Sequence, residues 1–301
     1  HVGAPWVMKE DTPSSTAYVI ARSMVYLSRD RLIGDLIPPR AVEMSAGFVQ
    51  AHSRLAYWLL SRMRPVSRLF IAVLERLSIP GIQLHYVVRK RYLEDVAREA
   101  LEEGVGQMVV IGGGFDTLAF RLHEEFPSVQ FIEIDHPATQ RVKRQTVNAH
   151  HLPGENLRFL AVDLTRRTLE ESLLTCDEYR QDEETLFICE GVLMYLLPEE
   201  IEKLFSFIRT HSSPRSRFAF TFMESENGRI RFQTASPAVD VWLRLRGEVF
   251  TWGMPRDRLP DYLASNGFTA DRIATPDSLR TRYLAVAHLD HLPLAEGECI
   301  C

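Results

Sequence analysis

From about residue 12 to residue 103, apolar positions recur every three or four residues and never alternate as they would in a strand. Ala17, Ile20, Ala21, Met24 and Leu27 share one helical face, and Thr12-Pro13 supplies an N-cap and first-turn pair ahead of them. Phe48, Leu55, Trp58 and Leu59 make a second stripe. Val66, Leu69, Phe70, Val73, Leu74 and Leu77 make a third, closed by Pro80-Gly81. A fourth helix is expected from about Tyr86 through Leu93, Val96, Ala97 and Ala100 to a stop at Gly104. These stripes predict a helical cap over residues 1–104, some faces packed into a core and others over a site.

The period changes at Gln107. Strands are expected near Met108–Ile111, Val129–Ile134, Arg158–Val162, Leu186–Cys189, Phe218–Phe222, Thr269–Ile273 and Arg282–His288. Helical segments separate most of them, notably Pro198 to Thr210, with Glu199-Glu200 in its first turn, and Arg256 to Ser265. Several strands are continuously apolar, as a parallel sheet covered on both faces requires. The reading is an α/β, doubly wound, seven-stranded and mostly parallel sheet spanning residues 105–301. The Arg- and aromatic-rich stretch 225–255 reads as an insertion beside the site rather than a separate domain.

Composition narrows the partners. A formal charge of −5 over 301 residues argues against a protein held to nucleic acid by phosphate contacts. No apolar run is long enough to span a bilayer, and the first residues lack the layout of a signal peptide, so a cytoplasmic protein with no membrane partner is expected. Four scattered cysteines, Cys176, Cys189, Cys299 and Cys301, read as free thiols. His150-His151 has no third ligand at a recognisable spacing, so no metal is expected.

The chemistry concentrates in Val109-Val110-Ile111-Gly112-Gly113-Gly114-Phe115-Asp116-Thr117. An apolar run delivers the chain into three glycines, which let main-chain N–H groups approach a ligand with no Cβ in the way. The next strand ends in Asp135, 23 residues after Gly112, a spacing suited to a carboxylate that binds a ribose diol. Together they predict an adenosine-containing cofactor. Glycine loops of this kind also occur in dehydrogenases, which keeps an NAD-dependent oxidoreductase as the rival class.

Four stretches in order carry a family resemblance: Arg89-Lys90-Arg91-Tyr92, Ile111 to Thr117, Phe131-Ile132-Glu133-Ile134-Asp135-His136-Pro137, and Ile188-Cys189-Glu190-Gly191-Val192-Leu193-Met194-Tyr195-Leu196. Asp163-Leu164 adds a shorter match, and Ser14-Ser15-Thr16-Ala17 followed by Arg22 resembles the opening of bacterial members. The chain resembles the leucine carboxyl methyltransferase family, including the polyketide O-methyltransferases grouped with it. The resemblance implies the class I methyltransferase fold and S-adenosyl-L-methionine as cofactor. It places Arg89 on the methionine carboxylate, where a guanidinium fork fits. Gly112 and Gly114 would lie along the methionine portion, and Asp135 on the ribose, with Glu133 competing one pleat earlier. Asp163 and Leu164 would flank the adenine, and Glu190 would meet the methionine amino group. Arg89 would then serve ligand rather than core, so its removal should leave the fold unchanged.

No catalytic residue is assigned. His52, His85, His123, His136, His150 and His151 are each more readily structural than basic catalysts. A carboxylate acceptor needs no deprotonation, whereas an alcohol or phenol benefits from a base. The leading expectation is an O-methyltransferase acting on a carboxylate or hydroxyl of a small molecule, extending to polyketide-type metabolites. Methylation of a protein C-terminus is the alternative within the family. Oligomeric state is left open.

Overall fold

Strand β1 (Gln107–Ile111) sends Met108 and Val110 to one side of the sheet and Val109 and Ile111 to the other, and all four are buried. Strand β4 (Thr185–Cys189) divides in the same way, Leu186 and Ile188 against Phe187 and Cys189. A strand apolar on both faces needs cover on both, and a doubly wound sheet provides it. The computed structural model describes residues 13–301 except 63, 151–153, 165, 227, 237, 240, 242 and 244–248, and the side chains of all of these but 64–69 and 150.

Strands β2 (Gln130–Asp135), β3 (Leu157–Ala161) and β5 (Arg217–Met223) complete the parallel part, in the order β3-β2-β1-β4-β5. The chain leaves β1 toward β2 and β3, then returns to the other side of β1 as β4. That reversal opens a crevice beyond the carboxyl ends of β1 and β4, where ligands bind in open α/β sheets. Val110 pairs with Glu133 and Ile111 with Ile134, so the two strand ends lie level.

The cap comprises α1 (Ser15–Leu27), α2 (Pro39–His52), α3 (Arg54–Arg62), α4 (Arg64–Leu77) and the long α5 (Ile82–Glu102). Thr12, expected as the first N-cap, lies outside the described residues; Ser14 caps α1 by accepting from the backbone of Ala17 at 3.2 Å. Helix α5 covers one sheet face with Val88, Leu93, Ala97 and Ala100, and ends before Gly104, whose φ is +101°. The second and third stripes depart from expectation. Phe48 is fully buried, but Leu55, Trp58 and Leu59 on α3 and Phe70, Val73, Leu74 and Leu77 on α4 face outward. With α5 already filling the sheet face, α3 and α4 reach the core through Leu60 and Ile71 instead.

The sheet has six strands among the described residues rather than seven. The sixth is β8 (Glu298–Ile300), antiparallel to β5 at the chain's end; in between, the chain makes the short hairpin β6 (Ser225–Glu226) and β7 (Arg229–Ile230). The expected strand at 269–273 shrinks to a single bridge between Ala274 and Ile300, with Asp271 and Arg272 left exposed. The expected strand at 282–288 is largely helical. Thr275 caps the turn through the backbone of Ser278, Pro276 takes the first position, and helical backbone continues to Ala285. Tyr283 then donates to Asp95 at 2.7 Å, which fixes this segment against α5.

Candidate active site

The loop after β1 is tied to the end of β2. The carbonyl of Ile134 accepts from Gly112 at 2.8 Å and Gly113 at 3.2 Å. Gly112 and Gly114 hold φ of +69° and +51°, the left-handed region that L side chains rarely enter. A Cβ on Gly112 would also meet Val192 at 2.4 Å. Asp135 closes the loop: its carboxylate accepts from the backbone N–H of Gly114 and, at 2.6 Å, from that of His136. Each oxygen keeps a further lone pair, and the residue lines the crevice. Burial raises its carboxyl above the ordinary range, against the hydrogen bonds to Gly114 and the nearby Lys143.

Glu133 goes elsewhere. It is 1% exposed, lies 2.5 Å from Lys143 on the helix Pro137–His150, and does not line the crevice. Burial pushes its carboxyl up to about 7, with Lys143 pulling against that shift. A Cβ on Gly113 would strike this carboxyl group at 2.6 Å.

Further along the crevice, Asp163 and Leu164 follow β3, and His136 lies 3.9 Å from Asp163. Glu190 leaves the end of β4 and meets two cations, Arg89 at 2.8 Å and Lys90 at 3.0 Å. Lys90 also bonds Asp116 at 2.8 Å. Arg89 is 3% exposed, and its other arm reaches Glu298 on β8 at 2.7 Å. Glu298 in turn contacts His85 at 2.8 Å. Burial alone would raise the Glu298 carboxyl, but Arg89 and His85 hold it down to about 2. Burial would likewise lower the Arg89 and Lys90 pKa values, and the surrounding carboxylates raise both.

Arg89, Gly112, Gly114, Asp135, Asp163, Leu164 and Glu190 therefore all line one crevice. One expectation is corrected: Arg89 serves the core as well as the crevice, because its guanidinium neutralises the buried Glu298. Reasoning from sequence missed Lys90, Asp116 and Glu298. The first two sit inside quoted motifs, where an ion pair across the crevice gives no periodic signal. Glu298 had only a carboxylate between Gly297 and Cys299, two residues after Glu296, to mark it.

Apart from Ser14, Thr16 and Glu200, the rest of the wall is apolar. Ile20 of α1, Tyr86 of α5, Met194, Tyr195, and Phe232 and Phe250 from the 225–255 stretch complete it. The space within, counted to its open mouth, is about 1520 Å³. Among the histidines, His123 binds Phe120 and Gly154 backbone and His52 stacks on Tyr18, both structural contacts. The His150 side chain and His151 lie outside the described residues. The four cysteines are free, and no group of three or more metal-ligating side chains occurs among the described residues.

The donor set fits S-adenosyl-L-methionine. A guanidinium and a carboxylate lie side by side for an amino acid's two charges, and a carboxylate with spare lone pairs lies at the end of β2 for a diol.

Comparison with known proteins agrees. The family model described as leucine carboxyl methyltransferase matches residues 16–209. The chain is 28% identical over 228 residues to "Putative S-adenosyl-L-methionine-dependent methyltransferase YktD" of Bacillus subtilis (strain 168), covering 72% of this chain and 73% of that one. It is 30% identical over 186 residues to a protein of the same description, without the final symbol, from Mycobacterium avium (strain 104). That match spans 60% of each chain. Among solved structures, a "putative methyltransferase" from Thermobifida fusca YX shares the fold at a TM-score of 0.50 and 16% identity, over 74% of this chain and 83% of that one. The chain belongs to the leucine carboxyl methyltransferase family, and it is an S-adenosyl-L-methionine-dependent methyltransferase of class I fold.

Proposed function

We propose that this enzyme methylates an oxygen of a small, largely apolar acceptor, and that the acceptor atom is a carboxylate oxygen. The observation that carries this reading is the mixed lining of the crevice. Arg89, Asp135 and Glu190 give it charge, whereas Tyr86, Met194, Tyr195, Phe232 and Phe250 give it rings and a thioether, the Arg89 guanidinium lying over the Tyr86 ring at 5.2 Å. Such a wall suits a polyketide-type or other ring-bearing acid.

Among the described residues of the crevice, the carboxylates and the histidine are already engaged. Asp116, Glu190 and Glu298 are held by cations, Asp135 by two backbone N–H groups, and Glu200 accepts from the backbone of Leu197 at 2.7 Å. The cleft histidine, His136, lies beside Asp163 on the side assigned to the nucleotide, with its Nδ1 accepting from Ala138 at 3.3 Å. An acceptor ionised at neutral pH needs none of these.

When bound, the cofactor supplies an electrophilic methyl group. The residues of this chain do the rest. Arg89 and Glu190 fix the amino-acid end, Asp135 holds the ribose hydroxyls, and Asp163 with Leu164 receives the adenine. The apolar wall orients the acceptor and excludes water, so that alignment supplies most of the acceleration.

A methyl-transfer screen tests this, with aromatic and aliphatic acids, their alcohols and phenols, and a peptide bearing a free C-terminal leucine. Methyl esters of ring-bearing acids are expected. Turnover of the peptide alone would move the function to protein carboxyl methylation, and turnover of phenols alone would require a base.

A further inference from the structure

The second pair of cap helices wears its apolar face outward. On α4, Phe70, Val73, Leu74 and Leu77 follow the spacing of one helical face and are 63, 46, 46 and 67% exposed, while Ile71 behind them is buried. On α3, Leu55, Trp58 and Leu59 repeat the pattern at 66, 50 and 37%. Seven of the twelve exposed large hydrophobic side chains among the described residues lie on these two helices, which pack together. Contiguous exposed apolar surface of this kind marks an interaction site rather than a core.

Charge says what covers it. Residues 54–77 contain five arginines, at 54, 62, 64, 68 and 76, and one acid, Glu75, in a chain of net charge −5. Glu75 is turned inward, accepting from the backbone and side chain of Gln83 at 3.1 and 2.7 Å. Arg54, Arg62 and Arg76 are exposed. A second copy docking about a twofold axis would bring this cationic surface against itself. An anionic surface would not be repelled.

We propose that α3 and α4 form a peripheral docking surface for an anionic lipid bilayer. Leu55, Trp58, Phe70, Val73 and Leu74 enter the boundary between headgroups and acyl chains, and the arginines stay at the level of the lipid phosphates. The expectation of no membrane partner rested on the lack of a spanning run, and none of the described helices is long and apolar enough to cross a membrane. Lying on the surface needs only the amphipathic face. The position also suits the site. Ser78, just after α4, accepts from the backbone of Ser236 at 2.9 Å, and Ile79 packs in one cluster with Tyr86 and Phe232 of the cleft wall. Delivery of an apolar acceptor from the bilayer would rest on the function proposed above; docking itself does not.

Flotation with vesicles tests it, using phosphatidylcholine alone and phosphatidylcholine mixed with phosphatidylglycerol. Wild-type protein should float with the mixed vesicles only and be released by high salt. Its tryptophan emission should shift to the blue, and Trp58→Phe should abolish that shift. Phe70→Glu with Leu74→Glu, and separately Arg62→Glu with Arg76→Glu, should lose flotation. Both pairs are exposed, so thermal melting and S-adenosylhomocysteine affinity should be retained; Trp58→Ser gives an independent variant if either pair fails to fold. Absence of flotation, or equal flotation with neutral vesicles, overturns the proposal. So does a dimer by light scattering that the Phe70/Leu74 variant dissociates without any lipid binding, which would assign the face to a second copy.

Discussion

The two ends of the crevice are built on different principles. At the end proposed for the nucleoside, Asp135 closes β2 and Asp163 with Leu164 follows β3, and backbone hydrogen bonds tie Asp135 to Gly114 of the loop after β1 and to His136. At the end proposed for the amino acid, Arg89 of α5, Glu190 after β4 and Glu298 on β8 come from three distant parts of the chain and meet as ions. A side chain at a strand end carries its function locally, so Asp135, Asp163 or Leu164 can be replaced with limited damage elsewhere. An ion cluster holds the fold and the ligand with the same charges. Damage at that end should therefore spread into stability, while damage at the nucleotide end should stay in binding.

The largest effect is expected from Arg89→Ala. It leaves the buried Glu298 without its guanidinium, while Glu190 keeps only Lys90, which costs ~3–5 kcal/mol of stability in addition to cofactor affinity. Thermal melting with and without S-adenosylhomocysteine checks it. An unchanged melting temperature would return Arg89 to a purely ligand-binding role.

Asp135→Asn comes next. Losing a charged acceptor should weaken S-adenosylhomocysteine by ~1.5–3 kcal/mol, measured by calorimetry. The melting temperature of the free protein should move less than in Arg89→Ala.

Acid sharpens the contrast further. Glu298 ordinarily titrates near 4.5 and is held near 2 in the folded chain. Its depressed value means that the stabilisation is full above about 4.5 and is lost as pH falls toward about 2. Glu298→Gln should flatten the acid limb of the stability curve in that window. If the variant's acid limb is indistinguishable from wild type, the Arg89–Glu298 pair contributes nothing to folding.

The smallest effect on binding is expected from Glu133→Gln, since that side chain is sealed against Lys143. Its carboxyl titrates higher folded than unfolded, near 7 against 4.5, so wild-type stability should decline as pH rises through that interval. The variant should lose that slope and leave S-adenosylhomocysteine affinity nearly unchanged. A binding loss exceeding that of Asp135→Asn would move the ribose site one pleat back.

What could be read from the sequence follows the same divide. Five parallel strands, the glycine loop and the residues at strand ends were legible, because a buried strand and a tight turn each leave a local pattern. The sixth strand was not. Glu298–Ile300 is three residues long, and its neighbourhood reads as a tail containing Cys299 and Cys301. Arg282 to His288 carries a strand-like mix of aromatic and aliphatic residues, yet the cap at Thr275 and the bond from Tyr283 to Asp95 keep most of it helical. Stripe positions on α3 and α4 were visible, but not the direction they face. Periodicity identifies an apolar side without saying what it meets. Glu298 gave no signal because its partners lie more than 200 residues away.

The most direct test of the two-ended crevice compares S-adenosylhomocysteine with 5′-methylthioadenosine, which keeps the nucleoside and lacks the amino acid. Calorimetric titration of both ligands into wild type, Asp135→Asn and Arg89→Lys separates the ends, since lysine retains the charge for Glu298 and loses the fork. Asp135→Asn should weaken both ligands alike. Arg89→Lys should weaken S-adenosylhomocysteine and leave methylthioadenosine unaffected. Equal losses for both ligands in Arg89→Lys, or no loss for either in Asp135→Asn, would contradict the assignment of the two ends.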